Sequence, residues 1–490
     1  MNKSSKILGM SLAIMLMMLA CLPTIASAQS AAPDISKPVD LQIYLLGSPA
    51  RDYDMVLEKL NEKTRADLNA TVTVNWIGWG DFATKYPLVL ASGEPIDLIY
   101  VASWAQYYPE AAKGAFLPLD ELAPIYMPKS YSEITPDFLQ QATVAGHLYG
   151  IPAAFYQYGM MGYIVRGDLM KQYGMTEIST MDDYGMFLEK VRDNNPELFP
   201  GDFIATSDSL EGLLWRDHGY IDLSYPLVID VREEHPKVRN FYEEPYILDF
   251  YKKMKDWGDK GYWSKSVLSN KDENLFIDGR AASRIHNQDS WKSTYIRHPE
   301  YEAQFFFQSP YSTKTAAMQD GMAVPAAAKN PERALMFLEK LRQDREYYNL
   351  LTYGIEGVHF EVTPQNTLKA LDPEGFAPEA YCSWGFKDPK FIIRPEGMPP
   401  NLDEINAKLE SLAVENPFVL FTPDFEPIKN ERAAVTSVYQ QYAKPLAFGY
   451  VNDPEQGLKT LLNQLDIAGI KVMQEELQRQ LDEYIASRAN

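Results

Sequence analysis

The alternation of apolar and polar positions is most regular near the start of the mature chain. Residues 41–46 (Leu-Gln-Ile-Tyr-Leu-Leu) read as a buried strand, closed by Gly47-Ser48-Pro49. Tyr53, Val56, Leu57, Leu60 and Leu68 recur at helical spacing. Residues 71–76 alternate as a second strand, 82–91 follow as a helix stopped by Ser92-Gly93-Glu94-Pro95, and 97–101 form a third short apolar run. Strand, helix, strand, helix, strand predicts a parallel sheet with right-handed crossovers. Further on, 163–165 read as a strand and 169–173 as a helix, and the region from 181 to 260 is mostly helical. Residues 281–286 look like a strand that runs into a loop at Asn287-Gln288-Asp289-Ser290-Trp291. Ala334, Phe337, Leu338 and Leu341 form the apolar stripe of a helix after Asn330-Pro331. The tail has three helical stripes: Val435, Val438, Tyr439 and Tyr442; Leu458, Leu461, Leu462 and Leu465; Ile470, Met473, Leu477, Leu481 and Ile485.

The N-terminus sets the compartment. Lys3 and Lys6 precede an apolar run over 7–21, Pro23 breaks it, and Ala26-Ser27-Ala28 supplies a cleavage site, so 1–28 read as a signal peptide. The run is too short for a permanent span, which takes about 20 residues. Met18-Leu19-Ala20-Cys21 also reads as a lipobox through which Cys21 would carry a lipid. Both readings place the protein outside the cytoplasm, secreted or at the cell surface. Residues 29–38 are Ala/Ser/Pro-rich and read as a flexible tether. Cleavage at Ala28 leaves Cys382 alone, so no internal disulfide is expected. The net charge of −21 disfavours nucleic acid and anionic lipid as partners.

Signatures of catalysis and cofactor binding are missing from the sequence. The six histidines have no metal-binding spacing, and there is no paired-cysteine zinc motif, Walker loop or Gly-x-Ser-x-Gly elbow. Asn270, Asp272 and Asn274 imitate the start of a calcium loop, but Leu275 and Ala281 stand where Gly and Glu are required. No enzyme, cofactor or metal is predicted.

Several segments resemble the extracellular solute-binding proteins of carbohydrate ABC importers. These are Ala91-Ser92-Gly93-Glu94-Pro95-Ile96-Asp97 leading into the third strand, and Gly114-Ala115-Phe116-Leu117-Pro118-Leu119-Asp120. Gly146-His147-Leu148-Tyr149-Gly150-Ile151-Pro152 resembles the family's approach to its hinge. Phe276-Ile277-Asp278-Gly279-Arg280-Ala281-Ala282 with Trp291, and Lys329-Asn330-Pro331-Glu332-Arg333-Ala334, follow in the family's order. Tyr353-Gly354-Ile355-Glu356-Gly357, Trp384-Gly385 and 426–431 are similar to a lipoprotein-like branch with an extended C-terminal region. The resemblance implies an α/β fold of the periplasmic-binding-protein type. Two α/β domains are joined by a hinge, with a ligand cleft between them and a helix-rich C-terminal part. It divides the chain into 39–153 (first domain), 154–304 (second), 305–343 (return to the first) and 344–490 (completion of the second, with the helical tail). A monomer that captures a carbohydrate, an oligosaccharide or a similar polar solute, and delivers it to a membrane permease by domain closure is the function implied. A secreted polysaccharide-active glycosidase or lyase, and a surface sugar-sensing co-receptor, are the alternatives.

A sugar offers apolar C–H faces and a rim of hydroxyls, so its site needs aromatic platforms and polar side chains. Trp79, between Gly78 and Gly80, Trp104, Trp291 and Trp384 all fall just past strands or between turn-forming stretches. Asp289 lies two positions before Trp291, and Tyr156 and Tyr158 directly follow the expected hinge. Arg51 is placed to reach a hydroxyl, with Asp52 beside it as a helix N-cap. Glu356, between Gly354 and Gly357, is a candidate acceptor, whereas Asp97 at a strand entrance reads as structural.

Overall fold

The computed structural model describes residues 34–153, 155–203, 209–269 and 274–488. The signal segment with Cys21, most of the tether and the polar part of the calcium-like run lie outside these residues.

The regular N-terminal pattern folds as it reads. Val39–Leu46 pairs in parallel with Ala70–Ile77 along its whole length and with Leu98–Val101 on its other edge. Helices Tyr53–Leu68 and Phe82–Ala91 make the crossovers. The five-stranded sheet is not parallel throughout. Gly321–Ala323 inserts antiparallel between Leu98–Val101 and Gly150–Pro152. That strand returns from a distant part of the chain, so no crossover helix dictates its direction. Asp97 ties the return to the first sheet: its buried carboxylate accepts the backbone N–H of Gln42 at 3.0 Å, of Lys329 at 3.2 Å and of Asn330 at 2.8 Å. Asn330 then starts helix Pro331–Gln343.

Residues 344–393 were expected to join the second domain, and their packing corrects that boundary. Tyr347, Tyr348, Phe360, Leu368, Phe376, Phe386 and Ile393 are buried in the same core as Leu41, Ile99 and Phe337. The cause is local. The Asp344 side chain accepts the Glu346 N–H and caps helix Arg345–Tyr353, which turns back against the preceding helix.

A second core gathers around Met161–Val165, which pairs antiparallel with Ser283–Asn287 and Gln304–Phe306. Helices Met181–Asn194 and Ile247–Asp259 bury Tyr184, Leu188, Tyr251 and Met254 there. The tail helices Pro454–Ile467 and Ile470–Arg488 add Leu461, Leu465, Met473, Leu477 and Leu481. A smaller cluster beside it holds Phe276, Trp291, Tyr301 and Phe305.

Between residues 152 and 160 and between 307 and 316 the chain passes from one core to the other, and after 393 it crosses again to the smaller cluster through Met398, Leu402 and Ile405. The first two crossings pair with each other, and a strand that follows the third joins them. Ser312–Lys314 is the middle strand of a three-stranded sheet, antiparallel to Tyr158–Gly159 and parallel to Ala413–Val414.

Replacing Asp97 with alanine leaves three backbone donors without their acceptor. The expected loss is about 2–3 kcal/mol of unfolding free energy, read from the denaturant midpoint at unchanged slope.

Candidate functional site

The carboxyl ends of the first three strands converge on one edge, and there the structure assembles three of the tryptophans singled out from the sequence. Trp79 stands on the turn after Ala70–Ile77, and Trp104 on the turn after Leu98–Val101. Gly47, at φ 102°, ends the first strand so close that an added Cβ would lie 3.3 Å from Trp79 Nε1. Trp384 comes from the turn Ser383–Phe386. That turn lies flat on the sheet because Gly385 has no side chain: a Cβ would stand 2.8 Å from the Gly321 carbonyl oxygen. Trp79 is 6.1 Å from both Trp104 and Trp384, ring centre to ring centre, with interplanar angles of 32° and 29°. Trp104 Nε1 donates to the Gln319 carbonyl at 2.9 Å and Trp384 Nε1 to the Glu379 carbonyl at 3.2 Å. Their polar edges are therefore bound to protein. Trp79 and Trp104 nonetheless remain 52% and 43% exposed, far more than packing requires.

Charged groups stand beside the rings. Tyr100 Oη and Gln157 Nε2 donate to the buried Asp320 carboxylate at 2.5 and 2.7 Å, and burial pushes that carboxyl up from its ordinary range. Lys387 pairs with Glu379 at 3.3 Å. Asp289 faces them from the second core, on helix Gln288–Arg297. Its crowded surroundings push its carboxyl up, but the ammonium groups of Lys292 and Lys387 outweigh this and hold it at about 2. The Asp289 side chain is still half exposed. A carboxylate of one core is thus held low in part by an ammonium of the other.

Trp104 also lines a cavity of about 600 Å³ between the two cores. Ser103, Gln106 and Tyr108 share its first wall, and Trp215, Asp222 and Tyr225 form a second. The third comes from the tail: Phe421, Phe425, Arg432, Thr436, Gln440 and Lys444. Helix Leu210–Asp217 borders the second wall. Ser209 Oγ accepts the Gly212 N–H at its start, and Gln308 Nε2, from a crossing segment, donates to Asp217 at its end. Near its start Glu211 is buried and accepts the hydroxyls of Tyr225, Tyr242 and Tyr251 at 2.7, 3.3 and 2.8 Å. The sequence reading missed the tail wall. Its signal was the polar run at four-residue spacing, 432, 436, 440 and 444, opposite the apolar stripe.

Other sequence-picked residues go elsewhere. Trp291 is corrected outright: it lies in the first turn of helix Gln288–Arg297, not in a loop, and is fully buried. Its ring stacks on Phe305 at 5.6 Å and its Nε1 donates to the Ala303 carbonyl at 2.7 Å. Tyr156 packs on Phe138 at 4.4 Å and lines a separate pocket of about 220 Å³ with Gln141, Lys314 and Glu415. Tyr158 belongs to the hinge sheet, where its carbonyl accepts Gln288 Nε2 at 2.7 Å. Arg51 is engaged by Asp52 and Asp372 at 2.8 and 2.5 Å. Asp52 stands at the N-cap position, yet its carboxylate serves Arg51 rather than the helix N–H groups. Glu356 is exposed, bridges to Phe360 and is not among the residues lining the cavity.

Asp97 is structural, as read. Among the described residues no group of three His, Cys, Asp or Glu side chains is placed to hold a metal, and no helix is long and apolar enough to cross a membrane.

Residues 53–346 match the model of the bacterial extracellular solute-binding protein family. The chain belongs to that family. Residues 417–486 match a second model, a domain of unknown function (DUF3502). A carbohydrate ABC transporter substrate-binding protein of Streptococcus pneumoniae is 24% identical over 96% of this chain and 95% of its own length. Lipoprotein LipO of Bacillus subtilis is 23% identical over 59% of this chain and 62% of its own. Among solved structures, the N-glycan transport solute-binding protein NgtS of S. pneumoniae, in complex with Man1GlcNAc, covers 92% of this chain and 100% of its own at 22% identity and a TM-score of 0.77. The S. pneumoniae substrate-binding protein FusA, in complex with kestose, covers 91% and 100% at 18% identity and a TM-score of 0.62. This solute-binding protein shares their fold, two cores with a cleft between them.

Burial raises the Asp217 carboxyl to about 7, against an ordinary value near 4. Below about pH 4 both folded and unfolded chains hold this proton and it costs nothing; as pH rises towards 7 only the unfolded chain releases it, so stability falls. Asp217→Asn removes that penalty and retains an oxygen for Gln308. Its Tm gain over the parent protein is expected to be small at pH 4, to grow up to pH 7 and to level off above it, as read by scanning calorimetry.

Proposed function

We propose that this solute-binding protein captures an oligosaccharide outside the cytoplasm and delivers it, chemically unchanged, to the permease of an ABC importer. The observation that carries this reading is the group of three tryptophans whose N–H edges or neighbours are engaged while the faces of Trp79 and Trp104 stay open to the cleft. Aromatic faces bind the C–H faces of sugars, and the carboxylates, amides and ammonium groups beside them match the hydroxyl rim. The cavity falls within the range of about 300–1,000 Å³ usual for ligand sites. The names and ligands of the S. pneumoniae relatives support a sugar as the solute. Closure is the second part of the proposal. Walls from two cores, joined by a narrow hinge sheet, enclose the ligand when they rotate together. The ligand drives this only by binding the closed form more tightly. The protein acts as a monomer, released after cleavage at Ala28 or held at the membrane through Cys21.

A thermal-shift screen of the chain from Gln29 onward, with product analysis on every hit, tests the reading. A ligand-dependent rise in Tm with intact sugar recovered supports capture, because a ligand of the folded state alone stabilises it. Cleaved product in proportion to protein would overturn it in favour of a glycosidase or lyase. Trp104→Ala should weaken the best oligosaccharide by about thirty-fold or more, as for a central aromatic anchor, measured by calorimetry. An unchanged affinity would remove the tryptophan group from the site.

A further inference from the structure

The tail wall of the cavity has a feature that neutral sugar recognition does not call for. Helix Lys429–Val438 continues without a break through a π-helical turn, Tyr439–Ala443, into Lys444–Ala447. Arg432, Thr436, Gln440 and Lys444 follow one another along it at intervals of four, and all four line the cavity. In a plain α-helix, steps of four drift round the axis by about 40° each. A π turn holds more residues per turn and turns the row back, so the four side chains keep to one face. Such π turns inside α-helices are frequent at functional sites. Four polar residues aligned on a cavity wall fit a surface that reads a ligand along its length.

The two ends of the row carry charge without a partner. Neither Arg432 nor Lys444 forms an ion pair or a side-chain hydrogen bond with any described residue. Each instead leans on a ring: the Arg432 guanidinium lies 3.9 Å from the Phe425 centroid and the Lys444 ammonium 5.7 Å from that of Tyr439. Burial pushes both cations down from their ordinary range, and Asp222 across the cavity is the carboxylate whose charge Arg432 feels. The other acid on this cavity, Glu211, is occupied by three tyrosine hydroxyls. Neither cation has a carboxylate within ion-pair distance, so guanidinium and ammonium are both available to a ligand that enters the cavity. They stand out further in a chain of net charge −21, whose general field repels anions. That field is screened beyond about 8 Å at physiological salt, so the local pair decides what binds.

We infer that the 429–447 helix reads an acidic oligosaccharide, with Arg432 and Lys444 pairing with carboxylates on different sugar rings. Twelve residues of helix separate them, about 18 Å of rise, which is a span of several rings. Thr436 and Gln440 between them meet hydroxyls. This assigns a function to the part of the chain that matches the domain of unknown function: it sets the ligand class of the cleft, while the tryptophans of the first core supply the stacking surface. The inference rests on the carbohydrate-capture reading and narrows it.

Calorimetry on the chain from Gln29 onward tests it, with oligogalacturonides, oligoalginates and sialyllactose each measured beside its methyl ester, and neutral manno- and fructo-oligosaccharides as a separate set. The ester keeps the skeleton and removes the charge. At least one acid is expected to bind about tenfold or more tighter than its ester, a difference of about 1.4 kcal/mol, and to lose that advantage in high salt and in Arg432→Gln or Lys444→Gln. Arg432→Gln and Lys444→Gln are each expected to stay folded by circular dichroism and to lose more affinity for the acid than for its ester. Acid and ester binding alike, or neutral oligosaccharides alone binding, would overturn the acidic reading and leave carbohydrate capture standing. Failure of every saccharide in both sets would overturn both.

Discussion

Backbone hydrogen bonds among three crossing segments are the constraint on which the rest of the molecule depends. Tyr158–Gly159, Ser312–Lys314 and Ala413–Val414 come from parts of the chain more than 250 residues apart at their extremes, yet they form one narrow sheet. A single connecting strand would let the cores swivel freely. Under the proposed closure, bending across this sheet is the motion that brings the cores together. The groups around the hinge are tied to it as well: Gln157 exchanges hydrogen bonds with Thr315 and reaches Asp320, and Gln288 binds the Tyr158 carbonyl. A displacement in the hinge is therefore felt at Asp320 on one core and at the helix carrying Asp289 on the other.

The cleft divides its tasks between the cores. The first core presents flat apolar faces at its strand ends, where open α/β sheets place their ligands. The second core and the tail present charge and hydrogen-bonding groups: Asp289 at one place, and Asp222, Arg432 and Lys444 at another. Because Asp289 feels Lys387, the two halves already interact electrostatically without a ligand, and a polar ligand between them would replace that long-range attraction with direct hydrogen bonds.

How far the sequence shows this depends on the range of the interactions involved. The block from 39 to 101 is legible nearly to the residue, since apolar period, turn residues and strand length all agree there. Trp79, Trp104 and Trp384 are legible as loop aromatics because each follows a strand or a turn, although Trp384 is half-buried against the first core; that they form one group is a long-range fact. Trp291 misleads for a local reason. Asn287-Gln288-Asp289-Ser290 looks like turn chemistry, but Asn287 is an N-cap whose side chain accepts the Ser290 N–H at 3.0 Å, so the run opens a helix that points the ring inward. The fate of 344–393 has no local signal at all, because helical stripes fit either core equally well. In the tail the apolar stripe at 435, 438, 439 and 442 is plain, while the polar face that lines the cavity resembles any solvated helix face until the cavity is seen.

The direct test of closure about the hinge sheet is small-angle X-ray scattering of the chain from Gln29 onward, with and without an oligosaccharide that raises its Tm. A fall in radius of gyration and in maximum dimension at saturating ligand is the expected result. Superimposable profiles at saturation would contradict it, and would leave a rigid cleft in place of one that closes.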